Sequence, residues 1–256
     1  MCGRFVARTT PAQLAEMTAA IDETTTPSGL DPANYPNYNV APTTSIAAVV
    51  CRHAEPGDEP SRRVRLMRWG FTPPWALAGA HRQPVGKAAL LINARAETLT
   101  TSGAFRFSAA TQRCLVPADG YYEWRATTDS SSARKSPKTP VFLYRETGEP
   151  LFMAGLWSAW RPSGTVLTQL SCAIITTDAV GGLAAIHHRM PLIMPEQDWD
   201  RWLDPDAPAD AALLARPPDV HGIAVREVSR LVNSVGNNGP RLLEAAEPQP
   251  VQLSLL

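Results

Sequence analysis

The second residue of the chain is a cysteine that directly follows the initiator methionine, and it offers the most specific chemistry in the sequence. Removal of Met1 would leave Cys2 with a free α-amine and a free thiol. The α-amine has a usual pKa of about 7.7–8.0, so part of it is neutral near pH 7. The thiolate of such a residue could attack a carbonyl. Alternatively, the amine could form a Schiff base with an aldehyde, after which the thiol closes a five-membered thiazolidine ring at high effective concentration.

A Schiff base needs two proton transfers, and the chain contains side chains of the right types. One proton must leave the amine and another must reach the departing oxygen, for which a carboxylate and an imidazole are suitable partners. Glu123 and His187 are the candidates. On residue type alone, Glu123 could equally be a structural carboxylate on a turn.

Two other polar positions allow a structural as well as a functional interpretation. His187 and His188 could be a metal-binding pair, but adjacent residues of a strand point to opposite faces and no third ligand is spaced nearby. We therefore expect neither a metal nor a cofactor. Asn93 could cap a helix, because the residues after it have good helical propensity. A cap and a site residue are compatible roles, since a loop-to-helix junction presents donors to phosphate.

Eight short motifs together resemble one known family, the SRAP family (SOS-response-associated peptidase, the abasic-site processing proteins). The resemblance covers residues 2–243, and its motifs occur in the family's order and spacing. They are MCGR at 1–4, YNVAPT at 38–43, RWGF at 68–71, NARAET at 93–98, CLVPADGYYEW at 114–124, GLW at 155–157, HHRMP at 187–191 and VN at 232–233.

The resemblance implies a covalent reaction with DNA. Proteins of this family trap abasic sites in single-stranded DNA through a thiazolidine at C1′ of the opened deoxyribose, which shields the lesion from strand cleavage. Cys2 would be the trapping residue after autoproteolytic removal of Met1. Asn93 matches a residue that hydrogen-bonds the sugar, Glu123 a carboxylate that shuttles protons, and His187 an acid/base histidine at the sugar oxygen. His188 falls where other members often carry Asp or Glu, and we assign it no catalytic role.

Basic residues that could contact DNA phosphates are concentrated in the middle of the chain. Residues 61–113 contain nine Arg or Lys and one acid, although the whole chain has no net charge. Arg4, Arg95 and Arg189 lie inside the matched motifs, so they are the strongest candidates for phosphate contacts. Arg68 and Arg106 are weaker candidates from the basic segment. A solvated basic surface would give the same charge pattern.

Aromatic side chains and one proline could contact bases. Trp69, Trp75, Trp124 and Pro42 could stack on bases or wedge between them, and a core position for any one tryptophan remains equally open. Stacking combined with backbone contacts gives little sequence specificity, which suits a lesion that lacks a base.

Three other functions remain open at this point. The first is an amidohydrolase with Cys2 as its nucleophile, for which glutaminase activity would be diagnostic. The second is a noncovalent module that binds single-stranded DNA, whose binding would survive Cys2→Ala. The third is a general protease, although no Cys-His-Asn arrangement points to peptide substrates.

Composition bounds the class of protein. The chain has 256 residues, of which 44% are hydrophobic and 19% charged, so it should fold around a substantial core. No apolar run is long enough to span a membrane, and the N-terminus has no export-signal pattern. None of the four cysteines forms a CxxC pair. We expect a cytoplasmic monomer that associates with the nucleoid at damaged DNA.

The elements that must position these residues are mainly strands. Helices are predicted at residues 11–21, where Thr10 and Gln13 form a capping box, and at 198–203 and 208–215. Loops are expected at 24–39 and 129–138. Strands outnumber helices and do not alternate with them, which favours an α+β domain with a strongly curved mixed sheet or open barrel, flanked by short helices. We expect one domain over residues 2–243 and a flexible tail at 244–256. The predicted strands are 2–8, 45–51, 64–69, 114–116, 141–144, 151–156, 171–176 and 223–228.

Overall fold

The computed structural model describes residues 2–25, 35–77, 90–126, 138–162 and 168–246. These ranges contain thirteen strands and four short α-helices. The strands are β1 (Phe5–Ala7), β2 (Ile21–Asp22), β3 (Asn37–Val40), β4 (Ser45–Arg52), β5 (Ser61–Trp69), β6 (Asn93–Arg95), β7 (Arg113–Ala118), β8 (Gly120–Ala126), β9 (Lys138–Arg145), β10 (Leu151–Trp160), β11 (Gln169–Asp178), β12 (Arg189–Pro191) and β13 (Ile223–Glu227). The helices are α1 (Pro11–Met17), α2 (Arg106–Thr111), α3 (Trp199–Leu203) and α4 (Ala211–Ala215).

The strands form two sheets, and the larger one curves back on itself. Its order is β12-β11-β10-β7-β4-β5-β2, with β6 paired to β11, while the smaller sheet has the order β13-β9-β8-β1-β3. A parallel contact between β11 and β5 closes β5, β4, β7, β10 and β11 into a ring of hydrogen bonds. Only two residue pairs make this closure, so the ring is not a true barrel. The predicted α+β class with a strongly curved mixed sheet is confirmed.

Alternating side chains of the large sheet build two cores. Ile46, Ala48 and Val50 of β4 belong to one apolar cluster, and Ala47 and Val49 belong to the other. This period of two places the clusters on opposite faces of the strand. The cluster around Ala47 includes side chains of all four α-helices, whereas the cluster around Ile46 also contains residues of the smaller sheet. Each fully buried aliphatic side chain contributes roughly 1.5–3 kcal/mol.

The first helix begins as its capping residues predict and ends earlier. The Thr10 side chain accepts a hydrogen bond from the backbone of Gln13, whose own side chain accepts from the backbone of Thr10. The helix ends at Met17, because Ala19 adopts a positive φ of 48° and turns the chain. Ile21, expected in the last turn of the helix, instead starts β2, which pairs with β5.

The sequence does not predict four strands that overlap the matched motifs, β3, β6, β8 and β12. Asn93 lies in β6, so it is not a helix cap, and the turn after it is a short 3-10 helix (Ala96–Thr98) without a side-chain cap. The strand β8 follows β7 after one residue, so its apolar residues read as a continuation of the preceding strand. These strands depend on distant partners, which a local pattern does not reveal.

Other differences concern helices and loops. Helix α2 was not predicted, and α4 begins at Ala211 because the Asp210 side chain accepts the Ala212 N–H, so Pro208 lies before the helix. The expected loop at 24–39 contains β3, and the expected loop at 129–138 and most of the expected tail at 244–256 lie outside the described residues. Leu242, near the predicted domain end, is buried. In the described ranges, no helix is long and apolar enough to cross a membrane.

Candidate functional site

The pairing of β1 with β8 brings the N-terminal residues beside Glu123. Phe5 lies opposite Tyr121, and the Tyr122 N–H donates to the Arg4 carbonyl at 2.9 Å. Continuing this antiparallel register places Gly3 opposite Glu123. The side chains of Cys2 and Glu123 are both buried. The strand pairing therefore delivers the N-terminal cysteine to the buried carboxylate.

Asn93 holds Cys2 from the other sheet. Its side-chain amide donates to the Cys2 carbonyl oxygen at 3.1 Å. The parallel pairing of β6 with β11 sets the position of Asn93 opposite Ile174. Among the described residues, the buried Oδ1 atom of Asn93 has no hydrogen-bond partner, so it can accept from a group that enters the site. Asn93 thus orients the N-terminal residue and keeps one acceptor available.

His187 approaches from the segment between the 3-10 helix at Gly181–Ala185 and β12. His187 Nδ1 lies 3.0 Å from the Arg189 backbone nitrogen and 3.1 Å from the Arg189 carbonyl oxygen, so the Arg189 backbone holds this side of the ring. The His187 ring stacks on His188 with 4.4 Å between centroids. Burial lowers the pKa of His187, the positive charge of His188 also lowers it, and the negative charge of Glu123 opposes both effects.

Electrostatic interactions join three of these side chains. Burial raises the pKa of the Cys2 thiol far above its usual value, and the charge of Glu123 raises it further, while the Arg4 N–H lowers it. Glu123 therefore acts on both the Cys2 thiol and the His187 ring. The structure brings Cys2, Asn93, Glu123 and His187 together. A neutral thiol, a carboxylate and an imidazole in one buried site are suited to proton transfers around the N-terminal residue.

The arginines of the motifs occupy very different positions. The Arg4 guanidinium donates to Asn39 Oδ1 at 2.7 Å and to the Val232 carbonyl at 2.8 Å, so it anchors the chain near residue 232. Arg189 is buried and pairs with Glu97 at 2.8 Å and Asp178 at 2.7 Å. Both guanidiniums are held by protein acceptors, which gives them structural roles. Their proposed phosphate contacts remain predictions.

The other candidate arginines are more accessible. Within the described ranges, Arg95 is exposed and its side chain makes no hydrogen bond or ion pair. Arg106 is exposed and lies over the ring of Phe107 at 5.1 Å. Arg68 is half-buried and donates to the Gly70 carbonyl at 3.1 Å. Arg95 is therefore the arginine of the motifs that the structure leaves most accessible to a phosphate.

The structure separates the aromatic candidates into core and surface. Trp69 is 0% exposed, packs on Phe5 and donates to the Ile92 carbonyl at 2.9 Å. The expectation that Trp69 stacks on a base is wrong, because no base can reach a fully buried indole. Trp124 and Pro42 are half-buried, whereas Trp75 is 56% exposed.

His187 and His188 do not have the strand geometry that the sequence predicts. His187 and His188 do not lie in a strand, and their rings face the same way and stack. Among the described residues, no group of three or more His, Cys, Asp or Glu is placed to hold a metal ion. The expectation of a metal-free site remains a prediction.

Two supporting residues were not singled out from the sequence. The Trp124 indole N–H donates to Asn233 Oδ1 at 2.7 Å, and the Asn39 amide donates to the Ser234 and Asn237 carbonyls at 2.9 Å each. Both asparagines lie in matched motifs, so the sequence offered an indication of their importance. They connect the segment around residue 233 to Arg4, which lies two residues after Cys2, and to Trp124, which directly follows Glu123.

Comparisons with known proteins agree on one family. The family model described as SOS response associated peptidase (SRAP) matches residues 1–235. Curated relatives named abasic site processing protein include YoqW of Bacillus subtilis, 34% identical over 251 residues that cover 96% of this chain and 100% of the relative. YoaM of the same species is 36% identical over 213 residues, covering 82% of this chain and 85% of the relative. HMCES of Gallus gallus is 30% identical over 275 residues, covering 96% of this chain and 78% of the relative.

A solved structure supports the same architecture. A protein from Bacteroides thetaiotaomicron superposes with a TM-score of 0.76 at 23% identity, covering 96% of this chain and 100% of that one. At this identity the likeness concerns the fold. Because the family model covers most of the chain and the relatives are similar along nearly its whole length, this protein belongs to the SRAP family.

Proposed function

We propose that this protein processes abasic sites in single-stranded DNA by covalent capture through Cys2. The observation that carries the proposal is the convergence of Cys2, Asn93, Glu123 and His187 in one site. Relatives of this chain are named abasic site processing proteins, which agrees with an aldehyde-bearing sugar as the substrate. An abasic sugar in its opened form presents an aldehyde at C1′.

The first step is removal of Met1. Water adds across the peptide bond between Met1 and Cys2, which releases methionine and leaves a free amine on Cys2. The hydrogen bond from Asn93 to the Cys2 carbonyl holds the residue in place while the bond breaks. Glu123 is close enough to act on Cys2 and accepts a proton from the attacking water. We assign this autoproteolysis to the same site as the capture.

The second step joins the amine to the sugar. The amine nitrogen adds to C1′, the carbonyl oxygen becomes a hydroxyl group, and water leaves as the C=N bond forms. Glu123 takes the proton from the amine, and His187 gives a ring proton to the departing oxygen. The Arg189 backbone holds the ring through Nδ1.

The third step closes the ring. The thiol adds across the C=N bond, so that sulfur bonds to C1′ and the thiol proton goes to nitrogen. The second and third steps together release one water per adduct. Burial raises the pKa of the thiol, which favours reaction of the amine first and argues against a thiolate nucleophile of the amidohydrolase type. We expect no glutaminase activity.

The capture is tested with single-stranded DNA that carries an abasic site. We expect a denaturation-resistant band with the wild-type protein, no band with Cys2→Ala, and none when the aldehyde is reduced beforehand. Mass spectrometry should show loss of Met1 and a mass for the adduct that is one water below the sum of its parts. Efficient capture by protein that retains Met1 would contradict the mechanism.

Replacing the sulfur separates capture from cleavage. We expect Cys2→Ser to form the Schiff base without a stable ring, so the stable adduct is lost while some strand cleavage by β-elimination remains. Gel analysis of the DNA products, with and without borohydride to trap the Schiff base, measures both reactions. A stable adduct with Cys2→Ser would show that the sulfur is dispensable.

A further inference from the structure

Three arginines surround one glutamate at a place remote from Cys2. Arg52 and Arg65 approach the two carboxylate oxygens of Glu23 at 3.3 and 3.4 Å, and Arg63 also bonds to this carboxylate. Arg63 lies six residues before Trp69 on β5, about 20 Å away at strand spacing. We call Arg52, Arg63, Arg65 and Glu23 the arginine cluster. It is distinct from the site around Cys2.

The strand register explains why these side chains meet. Arg63 and Arg65 are two residues apart on β5, so they share a face, and the paired strand β4 supplies Arg52. Glu23 follows β2, and its N–H donates to the Val64 carbonyl at 3.0 Å, which places it beside the same face of β5. Arg62 precedes Arg63 on β5, so its side chain lies on the opposite face of the strand, where it pairs with Asp200.

The arginine cluster is not neutral. Three guanidiniums share one carboxylate, and their side chains are only 11–37% exposed. Burial lowers the pKa of Arg65, and the charges of Arg52 and Arg63 lower it further, while Glu23 opposes them. Burial would raise the pKa of Glu23, but the hydrogen bond from Arg63 and the neighbouring guanidiniums lower it. Two positive charges therefore remain in excess within the described part of the cluster.

The guanidiniums also have more donors than acceptors. In the ranges that the structure describes, the Nε atoms of Arg52 and Arg63 are buried without a hydrogen-bond partner. Arg65 meets Glu23 through Nε, and among the described residues its terminal nitrogens have no acceptor. Buried donors without acceptors are costly, and a guanidinium fork matches the oxygens of a phosphate.

We propose that the arginine cluster is a binding site for a phosphate-type oxyanion, held by Arg52 and Arg65 over the Glu23 carboxylate. The chemistry fits inorganic phosphate and a phosphate of a nucleic-acid backbone equally, because both present tetrahedral oxygens with negative charge. This site is additional to the capture of abasic sites and does not depend on it. Its consequence is a second anchor for an anion far from Cys2.

Inorganic phosphate titrated into the full-length protein tests the site directly, with isothermal calorimetry as the measurement. We expect Arg65→Gln and Arg52→Gln each to weaken binding about tenfold, the loss expected for one charge-assisted hydrogen-bonding partner. Glu23→Gln should tighten binding several-fold, because it removes the competing carboxylate. The matched control is Arg161→Gln, an exposed arginine whose side chain bonds only Thr168 among the described residues.

The variant Glu23→Gln separates a site from a purely structural cluster. If the arginines serve only to bind Glu23, Glu23→Gln lowers the unfolding temperature without changing phosphate binding, and the proposal is overturned. Equal phosphate affinity in the wild type, Arg52→Gln and Arg65→Gln overturns it as well. Thermal unfolding shows whether each variant is folded. If Arg65→Gln does not fold, Arg52→Gln, at the most exposed of the three arginines, provides the test.

A second measurement distinguishes the two sources of phosphate. Intact single-stranded DNA without an abasic site is titrated at several salt concentrations, so the result does not depend on capture. If a backbone phosphate occupies the cluster, Arg65→Gln reduces the slope of log affinity against log salt by about 0.7, the value for one phosphate of a single strand. An unchanged slope with lost binding of inorganic phosphate assigns the site to the free anion.

Discussion

Cys2 and His187 show how the immediate surroundings of a side chain set its chemistry. Burial and the neighbouring Glu123 carboxylate raise the pKa of the Cys2 thiol, while partial burial and the neighbouring His188 ring lower the pKa of His187. Both groups are therefore neutral near pH 7. A neutral thiol and a neutral imidazole suit a reaction that begins at the amine.

The pKa of His187 is tunable through its stacked neighbour. We expect His188→Asp to raise the pKa of His187, because a negative charge replaces a ring whose positive charge lowers that pKa. Glu123 and the Arg189 N–H also face His187 and are unchanged in this variant. NMR titration of the His187 ring protons measures the shift, and the histidine-dependent part of the capture-against-pH profile should move to higher pH. His221→Asp, at an exposed position, is the control. An unchanged or lower pKa for His187 in His188→Asp would contradict this explanation.

The strand β12 and its partners show how one arginine fastens several elements. Arg189 joins β12 to the end of β11 through Asp178, and to the 3-10 helix after β6 through Glu97. Its guanidinium also bonds the Thr176 carbonyl in β11. The same residue supplies the backbone N–H that orients His187. This arginine is therefore part of the scaffold of the site.

Arg189 and Arg95 form a matched pair for separating scaffold from surface. We expect Arg189→Gln to cost about 1–3 kcal/mol of unfolding free energy, since charge-assisted hydrogen bonds are lost at a buried position. Arg95→Gln should change stability by less than about 0.5 kcal/mol, because its side chain is exposed. Urea denaturation measures stability, and fluorescence anisotropy measures DNA affinity, which Arg95→Gln should reduce. If Arg189→Gln instead reduced DNA affinity without a loss of stability, Arg189 would be the phosphate contact.

The first residue of β8, Gly120, packs against β9 too closely for a side chain. A Cβ at Gly120 would lie 2.5 Å from the Leu143 carbonyl oxygen and 2.5 Å from the Phe142 ring. We expect Gly120→Ala to destabilise the protein by about 1–3 kcal/mol, as overpacking does. Because β8 carries Glu123, capture should slow as well. Gly103→Ala, where a Cβ meets nothing within 4 Å, is the control for thermal and urea unfolding. An equally large loss of stability in Gly103→Ala would contradict the steric explanation.

At the scale of the whole molecule, the charges of the basic segment are spread over different surroundings. Arg62 pairs with Asp200, and Arg113 is buried among backbone carbonyls such as that of Trp202. Of the described residues in the segment, Arg95 and Arg106 are the exposed bases. Much of the positive charge counted in the sequence is therefore occupied inside the protein.

This distribution predicts a weak dependence of DNA binding on salt. With Arg95, Arg106 and the arginine cluster each contacting one phosphate, log affinity should fall with log salt at a slope of about −2 for single strands. Fluorescence anisotropy with intact single-stranded DNA at several salt concentrations gives the slope. A slope of about −5 or steeper would mean that the internally paired arginines also bind phosphate.

The sequence alone determined the reactive groups and the class of fold. The place of Cys2 in the chain made it the candidate for covalent chemistry, and the motifs around Asn93, Glu123 and His187 supplied the other candidates that the structure brings near it. Alternating apolar residues identified most long strands, because the period of two is a local property. The capping box of Thr10 and Gln13 fixed a helix start for the same reason.

Only the tertiary structure decided which partners these residues have. It placed Trp69 in the core, Asn93 in a strand, and Arg189 among acids while Arg95 stayed exposed. It also set Arg63 in the arginine cluster and its neighbour Arg62 against Asp200. These outcomes depend on the register between distant strands. A residue's type and local spacing fix what it is able to do, but its burial and its partner follow from segments far away in the chain.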